Sequence, residues 1–262
     1  MLVCPVCQKP LTQEHDRLLC AQGHSFDLAK EGYVNLLRSG KNGDLIGDDK
    51  ASARSRRDFL NKGYYGVLQE HFRELFAARS GTLLDICCGE GYYTSALGHE
   101  GLSVYGFDIS KEMVRLAAKR GKGSYFVANL AAIPVADASF DYGIHLFAPF
   151  QEKEFFRILK PGGRLYTVVP GRQHLYGLKK LIYDTPYEND EQLPETQKLI
   201  RKEVTKITAH ILLKCPEDIL AVFRMTTYYF HTSDKDRQKL EGVLSLETPV
   251  EFVIAEYQKP WE

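Results

Sequence analysis

Short apolar runs alternate with amphipathic stretches along most of the chain. Leu83, Leu84 and Ile86 form one such run, and residues 103–107 form another that ends in Asp108. Apolar runs of this length, bounded by glycine or polar residues, predict buried strands. The stretch 111–120 instead spaces Met113, Val114, Leu116 and Ala117 as one face of a helix. Strands that alternate with helices predict a mainly parallel α/β sheet.

The same pattern continues to the end of the chain. Further strands are predicted at 123–129, 140–147 and 164–171, and LKPGG at 159–163 is predicted to be the turn that ends a helix before the last of these. Helices are predicted from Tyr64 to about Arg79, at 171–183 and at 216–225. Residues 203–213 and 249–259 alternate apolar and polar positions, which predicts an antiparallel closing pair.

A glycine turn follows the first strand of this series. Gly89 and Gly91 allow the backbone to turn sharply and approach a ligand, and a helical stretch from Tyr92 points its amide groups at the same place. Thr94 and Ser95 lie in its first turn, where they can meet a carboxylate. Thr94 occupies the position where a dinucleotide fingerprint has a third small residue. Asp108, at the end of the next strand, can accept hydrogen bonds from both hydroxyls of a ribose.

The first 40 residues contain a separate chemical cluster. Cys4 and Cys7 form a CxxC pair, and Cys20 and His24 follow at a spacing that can present four ligands to one zinc ion. A disulfide or a redox-active CxxC are the alternatives. His15 falls in the turn of a short predicted hairpin, where a solvated role is expected. Such a small segment has little core, so metal binding would supply its folding free energy.

Composition excludes several classes of protein. The formal net charge of the 262 residues is zero, so any contact with RNA must come from a local patch. The chain has no stretch of eighteen apolar residues and its beginning does not resemble a signal peptide. We therefore predict a cytoplasmic protein, in which thiols stay reduced.

The order of these motifs resembles that of class I S-adenosylmethionine-dependent methyltransferases: a strand with Asp85, the GxG turn, a strand ending in Asp108, then FDYGIHLF and LKPGG. Together with CPVC and LCAQGH, the stretches SFDLAKEGYVNLLRSG, ARSRRDFLNKGYYGVL, LLDICCGEGYYT and VVPGRQHLYGLKKLIY resemble the zinc-containing 23S rRNA (guanine-N1-)methyltransferases, some of which confer macrolide resistance. The resemblance covers nearly the whole chain.

The resemblance implies a Rossmann-like, seven-stranded and mainly parallel sheet with an N-terminal zinc lobe. We predict the lobe at 1–38, a glycine- and charge-rich linker at 39–50, and a methyltransferase domain at 51–262 whose first helix is capped by Asp48 or Asp49. It further implies that S-adenosylmethionine is the cofactor, that a 23S rRNA hairpin is the substrate, and that the protein is a homodimer.

Family likeness also adds residues to the cofactor site. It implies cofactor contacts for Tyr65, His174 and Leu175, for which packing or solvation are the alternatives, and places Asn129 on the adenine amine unless it only caps a loop. The predicted cofactor-binding residues are Tyr65, Asp85, Gly89, Gly91, Thr94, Ser95, Asp108, Asn129, His174 and Leu175, and the predicted metal ligands are Cys4, Cys7, Cys20 and His24.

Several roles remain open at this level. Arg54, Arg56 and Arg57 could hold phosphates or form a solvated helix face, and Phe147 or Phe150 could stack on the target guanine. His145 and His174 are candidate acceptors for the guanine N1 proton, and no catalytic base is assigned.

Cys87 stands where the family usually has glycine, and we expect a negative φ there, with Cys87 and Cys88 as small buried groups. A small-molecule methyltransferase and a non-catalytic RNA-binding protein are the alternative functions.

Overall fold

The computed structural model describes residues 1–38 and 50–261. The predicted linker and the proposed caps Asp48 and Asp49 therefore lie outside the described residues, apart from Lys50, which begins the first helix. No helix in the described part of the chain is long and apolar enough to cross a membrane.

The N-terminal lobe is a small antiparallel sheet with the strand order β1-β2-β3. Its strands are β1 (Leu11–Glu14), β2 (Arg17–Cys20) and β3 (Ser25–Asp27). β1 and β2 form the predicted hairpin, and His15 lies in its turn with a φ of 55°. The chain then enters the short strand β4 (Val34–Asn35), which leaves the lobe and joins the main sheet.

Helices and strands alternate through the remainder of the chain. The helices are α1 (Lys50–Asn61), α2 (Gly66–Phe76), α3 (Thr94–Leu97), α4 (Lys111–Arg120), α5 (Glu152–Ile158), α6 (Tyr176–Ile182), α7 (Pro216–Arg224) and α8 (Asp234–Gln238), with a 3₁₀ helix at Thr227–His231. The strands are β5 (Gly81–Ile86), β6 (Leu102–Asp108), β7 (Ser124–Val127), β8 (Phe140–Leu146), β9 (Leu159–Pro170), β10 (Ile200–Leu213) and β11 (Leu246–Gln258).

The main sheet has eight strands in the order β10-β11-β9-β8-β5-β6-β7-β4. Strands β4 to β9 run parallel, and β11 is antiparallel to both β9 and β10. The predicted class I methyltransferase fold and the mainly parallel sheet are confirmed. The predicted number of seven strands is wrong by one, because Val34–Asn35 of the lobe pairs with β7 and adds an edge strand that its two-residue length did not reveal.

Alternate strand residues face opposite layers of helices. Leu83 packs with Phe59, Phe72 and other residues of α1, α2, α6 and α7, whereas its neighbour Leu84 packs with Phe155 of α5 on the other face. Leu18 and Val34 of the lobe belong to this second core. The zinc lobe is therefore packed onto the sheet and shares its apolar core.

The order of the strands creates a crevice at one edge of the sheet. β6 and β8 lie on opposite sides of β5, so the chain reverses its winding direction there. In open α/β sheets, ligands bind outside the carboxyl ends of the strands at such a switch point. LKPGG, predicted as a turn that ends a helix, is counted within β9, but residues 160–163 interrupt the pairing with β8: Leu159 pairs with Phe140, the next pair is Arg164 with Tyr142, and Gly162 has a φ of 75°.

Candidate functional site

The four predicted metal ligands come together in the lobe. The ligand atoms of Cys4, Cys7, Cys20 and His24 all lie within 4.8 Å of one another. Cys7 Sγ is 3.6 Å from Cys20 Sγ, and His24 Nδ1 is 3.3 Å from Cys20 Sγ. A tetrahedral zinc ion at its usual bond length to sulfur separates two sulfur ligands by about 3.8 Å. The donor set and its dimensions fit one structural zinc ion, and all six cysteines are free of disulfides.

Two tight turns bring these ligands together. The backbone N–H of Gln8 donates to Cys4 O (2.9 Å), and that of Gly23 donates to Cys20 O (2.9 Å). Gln8 and Gly23 both have positive φ, at 59° and 79°. Each turn carries two of the ligands, which is the knuckle arrangement that the CxxC and CxxxH spacings predict.

A cavity of about 310 Å³ lies at the carboxyl ends of β5, β6 and β8. Its walls come from the turn after β5, from Asp108 and Ile109 after β6, and from residues 146–149 after β8. Asp85, Gly89 and Asp108 of the predicted site are among the residues that line it. We refer to this cavity as the cofactor pocket.

Asp85 is a buried carboxyl group on the floor of the cofactor pocket. The Thr94 hydroxyl donates to its Oδ2 at 2.5 Å, which explains why threonine stands at this position of the turn. Burial raises the pKa of Asp85 to about 7, and the nearby Asp108 carboxylate adds to the rise. A cation bound in the pocket would favour the ionised form of this group.

Asp108 is held in place by two backbone groups. The N–H of Gly89 donates to its Oδ2 (3.0 Å), and the N–H of Ser110 donates to its Oδ1 (2.9 Å). These bonds tie the end of β6 to the glycine turn after β5. A carboxylate fixed in this way at the second strand end is suited to accept the hydroxyls of a ribose.

The glycine turn follows the backbone that the motif predicts. Gly89 and Gly91 have φ values of 56° and 76°. A Cβ at Gly91 would lie 2.8 Å from Ala117 Cβ of α4, so no larger residue fits there.

Cys87 also has a positive φ, at 59°, so the expected negative φ is wrong. The turn keeps the left-handed conformation that suits glycine, and a cysteine in it costs about 1 to 2 kcal/mol.

Two polar atoms in the walls of the cofactor pocket are buried without a hydrogen-bond partner among the described residues. They are Glu90 Oε1 and the Tyr93 hydroxyl. The other oxygen of Glu90 accepts from Arg120 Nε at 2.5 Å. Buried polar groups are usually paired, so orphaned atoms in two residues that line one cavity indicate a polar ligand. Nothing in the sequence distinguished these two residues beyond their place within the turn.

A larger cavity of about 670 Å³ adjoins the cofactor pocket. Arg56 and Phe147 line both cavities, so they form the boundary between them. Tyr65, His174 and Leu175 line the larger cavity. Its remaining walls come mainly from residues 224–230, which no sequence motif had marked. We refer to it as the aromatic cavity.

Tyr65 and His174 form a buried pair in the aromatic cavity. The backbone N–H of Glu251 donates to His174 Nδ1 (3.2 Å), and burial lowers the pKa of His174 to about 4. The neutral ring therefore carries its hydrogen on Nε2 and donates it to the Tyr65 hydroxyl oxygen (3.1 Å). The hydroxyl hydrogen of Tyr65 is thus available to an acceptor in the cavity.

Four predicted residues, Gly91, Thr94, Ser95 and Asn129, line neither cavity directly. Thr94 supports Asp85, and the Ser95 hydroxyl donates to Tyr92 O (3.3 Å). Asn129 lines a separate cavity of about 510 Å³ beside Leu36 and Arg38, and its Oδ1 accepts from the Ala131 N–H (2.9 Å). The structure thus places Asn129 in a loop turn between the lobe and the sheet.

The three arginines of α1 have different surroundings. Arg56 lies at the boundary of the two cavities, Arg57 pairs with the neighbouring Asp58 (2.8 Å), and Arg54 is exposed. Among the histidines, His145 is buried, its pKa is lowered to about 4 by burial, and its Nε2 lies 3.2 Å from Pro149 O. His145 lines neither cavity, and the ring nitrogens of His174 are both engaged.

Comparison with family models identifies both parts of the chain. Residues 2–40 match the N-terminal zinc ribbon of RlmA, and residues 84–167 match a methyltransferase domain. The zinc ribbon and an S-adenosylmethionine-dependent methyltransferase domain that the motifs predicted are confirmed.

Curated relatives match over most of the chain. A 23S rRNA (guanine(748)-N(1))-methyltransferase of Streptomyces fradiae is 34% identical over 66% of this chain and 65% of its own length. YxjB of Bacillus subtilis, named for 23S rRNA (guanine-N(1)-) methylation, is 34% identical over 71% of this chain and 70% of its own. A Micromonospora griseorubida protein of the same designation is 31% identical over 68% of each chain.

Solved structures show the fold of the larger domain. A chain in the complex between the Haloferax volcanii Trm112 methyltransferase activator and a methyltransferase superposes with a TM-score of 0.50 and 18% identity, covering 82% of this chain and 100% of its own. At this identity the likeness concerns the fold alone.

Proposed function

The chain belongs to the family of 23S rRNA (guanine-N1)-methyltransferases, and from this premise we propose that it transfers a methyl group from S-adenosylmethionine to N1 of one guanine in bacterial 23S rRNA. The observation that supports this most directly is the junction of the cofactor pocket with the aromatic cavity at Arg56 and Phe147. One cavity suits a nucleoside cofactor, and the other has the size and aromatic walls that suit a base.

We propose that the cofactor lies along the carboxyl ends of β5 and β6. The ribose hydroxyls donate to Asp108, and the backbone of Gly89 and Gly91 gives the close approach that the adenosine part requires. Asp85, supported by Thr94, favours the positively charged methionine end. The Tyr65 hydroxyl, oriented by His174, would donate to the methionine carboxylate, with Leu175 beside it. Ser95 lines neither cavity and would act only through the turn to which it belongs. Asn129 would have to leave its bond with Ala131 to reach the adenine.

The residues of this chain act mainly by positioning the cofactor and the guanine, and they take little part in the chemical step itself. When bound, S-adenosylmethionine supplies a methyl group whose bond to sulfur breaks with the electron pair left on sulfur as the bond to N1 forms. The protein aligns the two partners at the junction of the two cavities. The N1 proton leaves to solvent water, because His145 lines neither cavity and both ring nitrogens of His174 are engaged.

Guanine N1 lies on the Watson–Crick edge and is inaccessible in a duplex. The target base must therefore be unpaired or extruded from its helix. This requirement supports a hairpin loop as the substrate, gripped in part by the zinc lobe and by Arg56. The same proposal includes the division of the chain into lobe, linker and methyltransferase domain. It also includes a cytoplasmic location and a homodimer. Light scattering would test the dimer, since a monomer at high concentration would contradict it.

The assay that tests this function uses labelled cofactor. The protein is incubated with S-adenosylmethionine carrying a labelled methyl group and either unmodified 23S rRNA or a total small-metabolite extract. We expect label in the RNA alone. Label in the metabolites would indicate a small-molecule methyltransferase, and cofactor binding with no transfer to any RNA would indicate a non-catalytic RNA-binding protein.

A further inference from the structure

The segment that follows α7 has no role in the cofactor site, yet it forms much of the aromatic cavity. Residues 224–230 line one wall, and within them the 3₁₀ helix Thr227–His231 carries Tyr228, Tyr229 and Phe230 in succession. Phe230 is 76% exposed, which is unusual for a large apolar ring. A run of aromatic side chains beside a cavity is the kind of surface on which nucleobases stack.

Tyr228 is the chemically distinctive member of this run. Its hydroxyl is buried and has no hydrogen-bond partner among the described residues. The nearby Thr226 hydroxyl donates elsewhere, to Phe223 O (2.6 Å). Burial raises the pKa of Tyr228 well above its ordinary value, so the group stays protonated and can donate. An orphaned hydroxyl destabilises the free protein, and a ligand in the cavity would satisfy it.

The ring of Tyr228 is nevertheless held in a defined place. Its centroid lies 6.1 Å from that of Phe223 and 6.3 Å from that of Tyr183. The ammonium group of the buried Lys179 lies 5.3 Å from the same centroid. The position of the hydroxyl is therefore fixed by packing, and Thr226 is a neighbouring side chain within the protein with which it can interact.

Phe147, which also lines the aromatic cavity, has the complementary features. Its ring is 44% exposed and lines both cavities, and its backbone has a φ of 55°. A non-glycine residue in this conformation is strained, and such strain is concentrated at functional sites. Phe150, the other candidate for stacking, instead packs edge-on against Phe155, with centroids 5.0 Å apart.

We propose that the target guanine binds in the aromatic cavity, stacked on Phe147, and that the Tyr228 hydroxyl donates a hydrogen bond to its O6. This inference rests on the proposed function and adds the residue that reads the base. Guanine presents O6 as an acceptor beside N1, whereas adenine presents a donor in the same place. The bond would select guanine and would place N1 toward the boundary with the cofactor pocket.

The variant Tyr228→Phe removes the hydroxyl and keeps the ring. We expect kcat/KM for methylation of unmodified 23S rRNA to fall about 10- to 100-fold, the effect of one lost hydrogen bond in a reading site. The Kd for S-adenosylmethionine should be unchanged. The thermal stability of the free protein should be equal or higher, because a buried group without a partner has been removed.

Tyr166→Phe is the matched control. The Tyr166 hydroxyl is also buried without a hydrogen-bond partner, but the residue lies in β9 and lines neither cavity. It should show the same effect on stability with unchanged kcat/KM. A second variant, Phe147→Leu, should lower kcat/KM for RNA through loss of stacking, by about 5- to 150-fold.

Each other outcome decides against the inference. Wild-type kcat/KM in Tyr228→Phe would show that the hydroxyl does not read the base, and a weaker affinity for S-adenosylmethionine would place it on the cofactor. A clear loss of thermal stability would mean that the hydroxyl is bonded within the protein. In these cases the wild-type protein still methylates RNA and the proposed function stands. If the wild-type protein transfers no methyl group to 23S rRNA, both fail together.

Discussion

The zinc lobe and the carboxyl edge of the main sheet both concentrate polar side chains, but they do so in opposite ways. The lobe draws its four ligands from residues 4–24 and turns them toward one another. The sheet edge draws its groups from α1 to the loop after β8 and leaves Glu90 Oε1 and the Tyr93 hydroxyl without partners among the described residues. The difference separates a closed structural centre from a site that is open to a ligand.

The largest effect should come from removing a zinc ligand. We expect His24→Asn to abolish zinc binding and unfold residues 1–30, because structural zinc contributes about 10 kcal/mol or more to the folding of such small domains. Metal analysis and hydrogen exchange would measure both effects.

His15→Asn is the matched control for the lobe. His15 lies in the hairpin turn with a positive φ that asparagine tolerates, and it is not one of the clustered ligands. It should keep one zinc ion per chain. Full zinc content in His24→Asn would contradict the four-ligand centre.

Asp85 should make the open edge sensitive to pH. Its folded pKa of about 7 is higher than the ordinary 3.8, so the folded protein binds a proton that the unfolded chain has lost between these values. The stability that Asp85 contributes is fully present below about pH 4 and is lost as the pH rises through about 7. Asp85→Asn should therefore stabilise the free protein at pH 8, by up to about 4 kcal/mol. Chemical denaturation at several pH values would measure this.

Asp141→Asn should change the free energy of unfolding in the opposite direction. Asp141 also accepts from a threonine hydroxyl, that of Thr82, but Lys160 lies 2.8 Å away and bonding lowers its pKa. The stability that Asp141 contributes is present above the ordinary pKa of an aspartate and is lost as the pH falls. Asp141→Asn should therefore lower the free energy of unfolding at pH 8. If both variants changed the free energy of unfolding at pH 8 in the same direction and by the same amount, Asp85 would not be a buried carboxylate that lacks a compensating charge.

Asp108 should control cofactor affinity. Removing the carboxylate that accepts the ribose hydroxyls is expected to raise the Kd for S-adenosylmethionine about 100-fold in Asp108→Ala, equivalent to about 2.7 kcal/mol. Calorimetry would measure the change. The exposed Asp137, which pairs with Arg157 at 2.9 Å, gives a control variant, Asp137→Ala, that should bind within about twofold of wild type. Equal affinities in all three proteins would remove Asp108 from the site.

The smallest effect concerns the strained turn. Cys87→Gly should raise the free energy of unfolding by about 1 kcal/mol, because glycine relieves the positive φ. The melting temperature should rise by about 2 to 4 °C. The neighbouring Cys88 is buried and has no positive φ, so Cys88→Gly should be destabilised instead. A lower melting temperature for Cys87→Gly would indicate that the thiol packs usefully.

The two regions also differ in how far the sequence predicted them. The zinc ligands follow from spacing alone, since Cys4, Cys7, Cys20 and His24 are close along the chain and their turns are local. The glycine turn and Asp108 were predictable for the same reason. The aromatic cavity was not, because Phe147 and Tyr228 are brought together by the order of the strands and no local pattern links them.

Two further differences have physical causes that a single sequence does not reveal. The φ of Cys87 is set by the turn that Gly89 and Asp108 close, and this overrides the preference of cysteine. The eighth strand depends on two residues, Val34–Asn35, which find their partner in β7 only after the sheet has formed.

Primer extension on 23S rRNA tests the central claim most directly. A methyl group on N1 occupies the Watson–Crick edge, so reverse transcription stops at the modified guanine. RNA treated with this protein and S-adenosylmethionine should give one new stop at a guanine, and RNA treated without the cofactor should give none. No new stop, although the protein binds the cofactor and the RNA, would contradict methyl transfer to guanine N1.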